Sequence, residues 1–443
     1  MKIKLSDHFT YSKLLRFVFP SIIMMVFTSI YGVVDGLFVS NFAGKTAFAS
    51  INLVMPFVMI LGGIGFMIGT GGTALVSKVL GEGKKEKANE IFTMMIIFTL
   101  LLGALLSVIG VISMPWVAKF LGATEEMMAD CVLYGRIVTG FTVAFMLQNV
   151  FQSFLIAAEK PKLGLLATVL AGITNMSLDA IFIIVFKWGV AGAAIATGLS
   201  QCVGGIFPLI YFLRKNSSLL RLTKTKLEIK PILNACGNGS SELMSNISSS
   251  VVSMIYNFQL MKYVGEDGVS AYGVLMYVQF IFVAIYIGYA IGCAPITGYH
   301  FGARNHNELK NMLRKSSFLS AVSGVVLTIL AIALSSPLAK LFVGYDEELY
   351  ELTRHAFRLF AYSFLLAGFN IFTSSFFTAL NNGAVSAAIS FMRTLIFQTS
   401  SVLILPIFLG VDGIWWAITV AEFFAFILSL IFLFAKRKKY NYI

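Results

Sequence analysis

Charged side chains are scarce in this sequence. Only 12% of its 443 residues are Asp, Glu, Lys or Arg, whereas a soluble globular domain has about 25%. Apolar residues make up 58%, and runs of about 20 apolar residues, the length that crosses a bilayer, recur along the whole chain. The strand alternation of a transmembrane barrel is missing. The composition therefore excludes a soluble globular protein and indicates an all-α polytopic membrane protein.

Cysteine and histidine are also rare, with four of each. They are widely spaced and form no metal or redox motif, so we predict neither a metal cluster built from them nor an enzyme. The net charge of +12 would suggest nucleic acid in a soluble protein. Here the basic residues collect in alternate loops, as the positive-inside rule describes, and we predict a lipid bilayer and no nucleic acid as the partner.

Apolar runs between polar breaks predict twelve membrane spans. The longest polar segment, residues 214–231, divides the chain into an N-terminal six-helix lobe at 1–213 and a C-terminal one at 232–443, joined by a cytoplasmic loop. Most of the 33 Lys and Arg lie on one side, which places both termini in the cytoplasm. The predicted spans are residues 14–38, 48–77, 91–113, 130–157, 163–186, 190–213, 234–261, 271–299, 316–336, 355–380, 385–409 and 413–435.

The two halves of the sequence repeat each other. Gly71 matches Gly292 and Gly81 matches Gly302, both at a spacing of 221 residues. Each unit has six spans, an even number, so both insert in the same orientation, as a parallel repeat about an axis along the membrane normal. Two pseudo-symmetric six-helix bundles indicate a two-lobed secondary transporter, with substrate held between or within the lobes.

A few ionisable residues lie inside the predicted spans. Asp35 stands well beyond the start of the apolar run that begins near Pro20, where a charged side chain costs about 2.5–3.5 kcal/mol on insertion scales. Such a residue usually faces a water-filled cavity or a partner. The alternative is that Asp35 lies at the outer helix end and touches the interface.

The fifth and sixth spans offer partners for Asp35. Asn175 and Asp179 are four residues apart, which puts them on one face of a helix, and Thr197 lies on the next span. Together these side chains would form an oxygen-rich pocket suited to Na⁺ or protons, whose binding would be coupled to helix movement. The alternative is a static polar network that fastens helices 1, 5 and 6.

Three further ionisable residues lie within the predicted spans of the second half. Glu242, about a third of the way into span 7, would receive a cationic substrate or proton, or would bond neighbours such as Asn246. Arg393 on span 11 would face polar interior groups or an anionic ligand. For Glu422 on span 12, which matches Gln201, we favour a structural hydrogen-bonding role.

These features together resemble the multidrug and toxic compound extrusion (MATE) family. The resemblance covers the whole chain: the six-plus-six spans, the first helix from Pro20 to Asp35, and the set of Asn175, Asp179 and Thr197. The loop that begins at Gly81 and its counterpart at Gly302 also look like that family.

The resemblance implies an antiporter that exports organic, often cationic and amphipathic, compounds in exchange for H⁺ or Na⁺ by alternating access of two lobes. It implies a prokaryotic cell membrane, no cofactor, and a protein that we expect to be a monomer. In one branch of the family, residues matching Asp35, Asn175, Asp179 and Thr197 form a cation site, and Pro20 bends helix 1 on protonation. We expect the substrate cavity to include Tyr31, Asn149, Glu242 and Asn257.

Two other functions stay open. One is a flippase for lipid-linked precursors of the same superfamily, whose cavity would carry Arg and Lys for a pyrophosphate; here only Arg393 stands out. The other is a membrane receptor or scaffold, against which the duplicated lobes and the acids within the spans argue.

Overall fold

The computed structural model describes residues 3–442, and within them it contains only helices, turns and irregular segments. Fifteen α-helices follow one another along this part of the chain. They are α1 Tyr11–Phe38, α2 Lys45–Gly81, α3 Lys85–Phe120, α4 Glu125–Gly140, α5 Thr142–Ala157, α6 Pro161–Asp179, α7 Gly189–Leu213, α8 Ile229–Tyr263, α9 Glu266–Gly302, α10 His306–Val343, α11 Glu347–Phe360, α12 Phe364–Ala379, α13 Gly383–Phe391, α14 Gln398–Leu409 and α15 Val411–Tyr440.

These helices correspond to the twelve predicted spans. Ten helices or unbroken helical stretches of the described residues are long and apolar enough to cross a membrane, and α4 with α5 makes an eleventh span bent by 54°. The twelfth is α8, 35 residues long, whose Gly, Ser and Asn residues make it less apolar than the others. The predicted all-α fold of twelve helices is confirmed.

Short π-helical segments interrupt three of the spans. They follow α1 at Val39–Ala43, follow α6 at Ala180–Val185, and separate α13 from α14 at Met392–Phe397. A π segment widens the helix by one residue per turn and is frequent at functional sites. The second of them begins directly after Asp179, and the third contains Arg393.

The loops are shorter than the sequence predicted, because the helices extend past their apolar runs. Helix α3 begins at Lys85 and α10 at His306, both within segments that the predicted spans left as loops. Basic residues are good helix formers, so the helix can continue into the polar region. The long segment 214–228, between α7 and α8, is non-helical. It lies against α3, and the amide of Arg221 donates to Asn89 Oδ1 at 3.0 Å.

The two halves of the chain meet through glycines that match in the repeat. A side chain at Gly81 would overlap the carbonyl oxygen of Tyr299, and one at Gly302 would overlap the carbonyl oxygen of Lys78. Both partners are again 221 residues apart, so the contact between α2 and α9 is pseudo-symmetric. Only glycine permits such a close backbone approach.

The hydrophobic cores show where the halves join and where they part. One core contains residues of both halves, among them Phe17, Met24 and Tyr289, together with Tyr440 near the C-terminus. A second core, with Val54 and Tyr134, draws only on the first half. A third, with Tyr256 and Trp415, draws only on the second half. The halves therefore share a core at the end that carries both termini and have separate cores at the opposite end.

The N-terminal segment, residues 3–10, crosses from one half to the other at this joined end. The amide of Leu5 donates to Glu159 Oε1 at 3.0 Å, and the amide of Phe9 donates to Glu308 Oε1 at 2.9 Å. Leu5 and Phe9 are fully buried. The segment thus ties the α5–α6 turn of the first half to the start of α10 in the second.

Candidate functional site

The site is built around the outer part of α1 and the end of α6. Asp35 on α1 lies against Asp179 and Asn175 on α6, so the three residues predicted to share one pocket do meet. Asn175 and Asp179 are 2% and 0% exposed. Their spacing of four residues places both on the face of α6 that packs on α1. The sequence spacing alone was enough to predict this shared face.

Several oxygen atoms of this pocket lack a hydrogen-bond partner. Oδ1 of Asp35, both carboxylate oxygens of Asp179, Oδ1 of Asn175 and Oγ1 of Thr197 are buried without a hydrogen-bond partner. Among residues 3–442, no Lys or Arg forms an ion pair with Asp35 or Asp179. Two facing carboxylates can share a hydrogen bond only if one of them holds a proton, and buried polar groups are normally satisfied. The chemistry of this set fits a proton or an oxygen-preferring cation such as Na⁺.

Thr197 on α7 is connected to the acid pair by Tyr134, a residue that the sequence analysis did not single out. Tyr134 on α4 is 2% exposed, lies beside Thr197, and is within electrostatic range of both carboxylates. Tyr134 is one of sixteen tyrosines in the chain, so its residue type does not mark it as a site residue. It lies on α4, which meets α5 at a bend of 54°. No spacing rule connects such a residue to α1 or α6, which is why sequence reasoning missed it.

Tyr31 lies one turn before Asp35 on the same helix. Its ring packs over Gly172 of α6, where an added Cβ would lie 2.9 Å from Tyr31 Cδ1, and its side chain lies against Gln148 of α5. Tyr31 therefore belongs to the pocket wall. Pro20, the predicted hinge, lies inside α1, which is helical without a break from Tyr11 to Phe38.

The other cavity candidates do not lie with this pocket. Asn149 is 3% exposed, and its Nδ2 donates to the carbonyl oxygen of Gly62 at 3.0 Å, so it fastens α5 to α2. Glu242 and Asn257 lie on α8, and Asn257 is exposed. Asn246 bonds the main-chain oxygen of Glu242 at 2.9 Å rather than its carboxylate, for which no described residue supplies a cation.

The second half holds a charged cluster of the opposite kind. Glu422 on α15 is 1% exposed and pairs with Arg393, whose Nη2 lies 2.7 Å from Oε1 and whose Nε lies 3.0 Å from Oε2. Asn370 on α12 donates to Oε2 of Glu422 at 2.7 Å. This contact places Arg393 against a polar interior group, one of the two partners that we had expected for it.

A twelve-helix membrane bundle made of two repeated halves has the architecture of a two-bundle membrane transporter. The model of the MatE family matches residues 20–181 and 243–401, which is most of the chain. The chain therefore belongs to the MatE family, as the sequence resemblance predicted. Membership of this transporter family also confirms that the chain is not an enzyme.

Similar proteins extend over nearly the whole length. The multidrug export protein MepA of Staphylococcus saprophyticus is 24% identical over 440 residues, covering 96% of this chain and 94% of the relative. A solved outward-facing conformation of a multidrug resistance MATE family transporter superposes with a TM-score of 0.92 at 22% identity, covering 97% of this chain and 96% of that one. A MOP superfamily transporter from Pyrococcus furiosus, described as having a binding pocket of reverse polarity, gives 0.90 at 23% identity, with the same coverage.

Proposed function

We propose that this chain is a secondary active multidrug efflux antiporter, which exports organic, often cationic and amphipathic, compounds in exchange for H⁺ or Na⁺. The observation that carries the proposal is the contact between the half-buried Asp35 and the fully buried Asp179, three of whose carboxylate oxygens have no hydrogen-bond partner. A fixed charge pair of this kind is costly within a membrane. An exchangeable cation would remove that cost, and its binding free energy would become available to drive a conformational change.

The coupling step follows from the helices that carry the pocket. Asp35 is on α1 and Asp179 is on α6, so a proton or Na⁺ between them would draw the two helices together. Loss of the cation would leave two negative charges in contact and push α1 away from α6. Pro20 removes a backbone hydrogen bond within α1 and is the position at which we propose that the helix bends.

Alternating access would use the two lobes as rigid units. We propose an N-terminal lobe at 1–213, a connecting loop at 214–231 and a C-terminal lobe at 232–443. The shared core at the end of the termini and the separate cores at the opposite end support a state that is closed toward the cytoplasm and open outward. We propose that both termini are cytoplasmic, that the membrane is the prokaryotic inner membrane, and that the transporter acts as a monomer.

The substrate class is proposed from the cavity residues and from the relatives. Several of the relatives are named multidrug export proteins. Tyr31 and the unpaired carboxylate of Glu242 would attract an organic cation, the ring through its negative face and the acid through its charge. Arg393, the cation within the spans that stood out as a possible pyrophosphate ligand, is neutralised by Glu422. This arrangement favours the antiporter over the lipid-precursor flippase.

Efflux from vesicles tests the proposal. The chain is reconstituted with a fluorescent organic cation inside, and pH and Na⁺ gradients are imposed separately. We expect one or both gradients to accelerate efflux, and Asp35→Asn and Asp179→Asn each to reduce that acceleration strongly while the variants remain folded. Efflux that ignores both gradients in the unmodified protein would overturn the antiport proposal.

A further inference from the structure

A cavity of about 720 Å³ opens between the first turns of α1 and the turn that joins α5 to α6. It lies far along α1 from the acid pair, and its lining includes Pro20, the proposed hinge. Its volume is within the range of about 300–1,000 Å³ that is typical of small-molecule sites. The walls come from α1, from the start of α6, and from Ile3 of the N-terminal segment.

Three basic side chains line this cavity. Arg16 and Lys162 are exposed, and neither has a hydrogen-bond or ion-pair partner among residues 3–442. Lys160 donates to Ser217 Oγ at 3.0 Å. The rim also holds one acid, Glu159, which accepts the amide of Leu5. Three basic residues against one acid leave the cavity with an excess of positive charge.

The rest of the lining is apolar, and part of it is exposed at the surface of the bundle. Leu15, Phe19 and Leu163 contribute to it, and Phe19 is 59% exposed. Because α1 and α6 are both membrane spans, their first turns lie where the hydrocarbon meets the headgroups. A basic rim above an apolar wall at that depth complements a phosphate joined to an acyl chain.

We propose that this cavity binds one anionic phospholipid of the leaflet on the side of the termini, with its phosphate between Arg16 and Lys162 and an acyl chain along Phe19. The bound lipid would connect α1, four residues before Pro20, with the start of α6. These are the two helices that bring Asp35 and Asp179 together, so an anionic lipid would stabilise their packing.

Native mass spectrometry of the detergent-purified full chain tests this site by titration with phosphatidylglycerol, phosphatidylcholine or inorganic phosphate alone. Neutralising Arg16→Gln with Lys162→Gln should weaken the tightest phosphatidylglycerol site about twentyfold, since each basic residue at a membrane surface contributes about a fivefold factor. The matched control, Lys224→Gln with Lys226→Gln, removes two exposed charges outside the cavity and should leave that affinity unchanged. Phosphatidylcholine and phosphate should bind no more than weakly.

A second measurement needs no variant. Photoactivatable phosphatidylglycerol should label the unmodified chain on peptides containing residues 15–20 or 159–163, and unlabelled phosphatidylglycerol should prevent this labelling. Phosphatidylglycerol binding that is unchanged in the double variant, equal binding of phosphatidylcholine, or labelling only elsewhere would overturn the proposal. Equal competition by inorganic phosphate would show an anion site and would overturn the lipid assignment.

Discussion

The two halves of this transporter bury carboxylates in opposite ways. In the first half, Asp35 and Asp179 face each other without a cation, and three of their oxygen atoms have no donor. In the second half, Glu422 is held by Arg393 at 2.7 Å and by Asn370. Both clusters are built beside a π-helical segment of a matching span, at Ala180–Val185 and Met392–Phe397. The repeat thus preserved the helix geometry while the chemistry diverged.

The difference teaches which charges can serve transport. A buried acid that the fold neutralises with its own arginine needs no ion from solution, and it acts as a structural pair. A buried acid without such a partner must take up a proton or metal ion to be satisfied. On this reasoning the Asp35 and Asp179 pair can exchange ions and the Glu422 cluster cannot, although both lie at membrane depth.

The largest effect is expected when the ion pair between Arg393 and Glu422 is broken. Arg393→Met should lower the free energy of unfolding by about 3–5 kcal/mol, because it leaves the charge of Glu422 buried and uncompensated. Combining it with Glu422→Met should recover most of that loss. Denaturant unfolding of the detergent-purified proteins measures both changes. A fully stable Arg393→Met protein would show that the second-half pair is not the structural element described above.

The second largest effect is expected on the coupling of efflux to the ion gradient. Asp179→Asn should reduce the acceleration of efflux by an imposed gradient about 5- to 150-fold, the range of typical coupling free energies. The matched control Asp267→Asn changes an exposed acid and should leave the gradient response intact. Vesicle efflux measures both variants. If Asp179→Asn keeps the full response, the carboxylate pair is not where the ion acts.

A third prediction compares stability in the two halves directly. Asp35→Asn should leave the free energy of unfolding unchanged or raise it by about 1 kcal/mol, because it removes one of two facing charges. Glu422→Gln should lower that free energy, since it leaves Arg393 unpaired. The same unfolding assay reports both signs. Equal destabilisation by the two substitutions would erase the distinction between the halves.

The smallest effect concerns the edge of the pocket. Thr197→Ala should weaken the response to the gradient only a few-fold, because it removes one neutral oxygen ligand of several, about 0.5–1.5 kcal/mol. Thr197→Ser keeps the oxygen and should behave as the unmodified chain. Efflux at several ion concentrations measures the shift. A complete loss in Thr197→Ala would instead place the hydroxyl at the centre of the site.

Much of this arrangement was readable in the sequence, for identifiable reasons. Membrane-length apolar runs fix the spans, and the spacing of Asn175 and Asp179 fixes their shared helix face. Both signals are local along the chain. The partner of Glu422 was not predicted, because Arg393 lies on another span and no repeat signal joins the two.

Other misses have the same physical origin. Tyr134 reaches the pocket through the packing of α4 on α7, and the bond of Asn149 to Gly62 of α2 likewise joins residues far apart in the sequence. Which face of an apolar helix contacts which neighbour depends on side-chain packing between distant segments. Composition and periodicity carry little of that information in a membrane protein, where both faces of a helix are apolar.

The central claim is that the Asp35 and Asp179 pair, and not the Arg393 and Glu422 pair, holds an exchangeable cation. Proton uptake by the purified protein, followed during acidification in buffers with and without Na⁺, tests it most directly. The unmodified chain should take up one proton more than the Asp35→Asn, Asp179→Asn double variant, because a coupled pair titrates as a unit. The Arg393→Met, Glu422→Met double variant should take up as many protons as the unmodified chain. Equal uptake by the unmodified chain and the first-half variant, at every Na⁺ concentration and with no Na⁺ bound, would contradict the account.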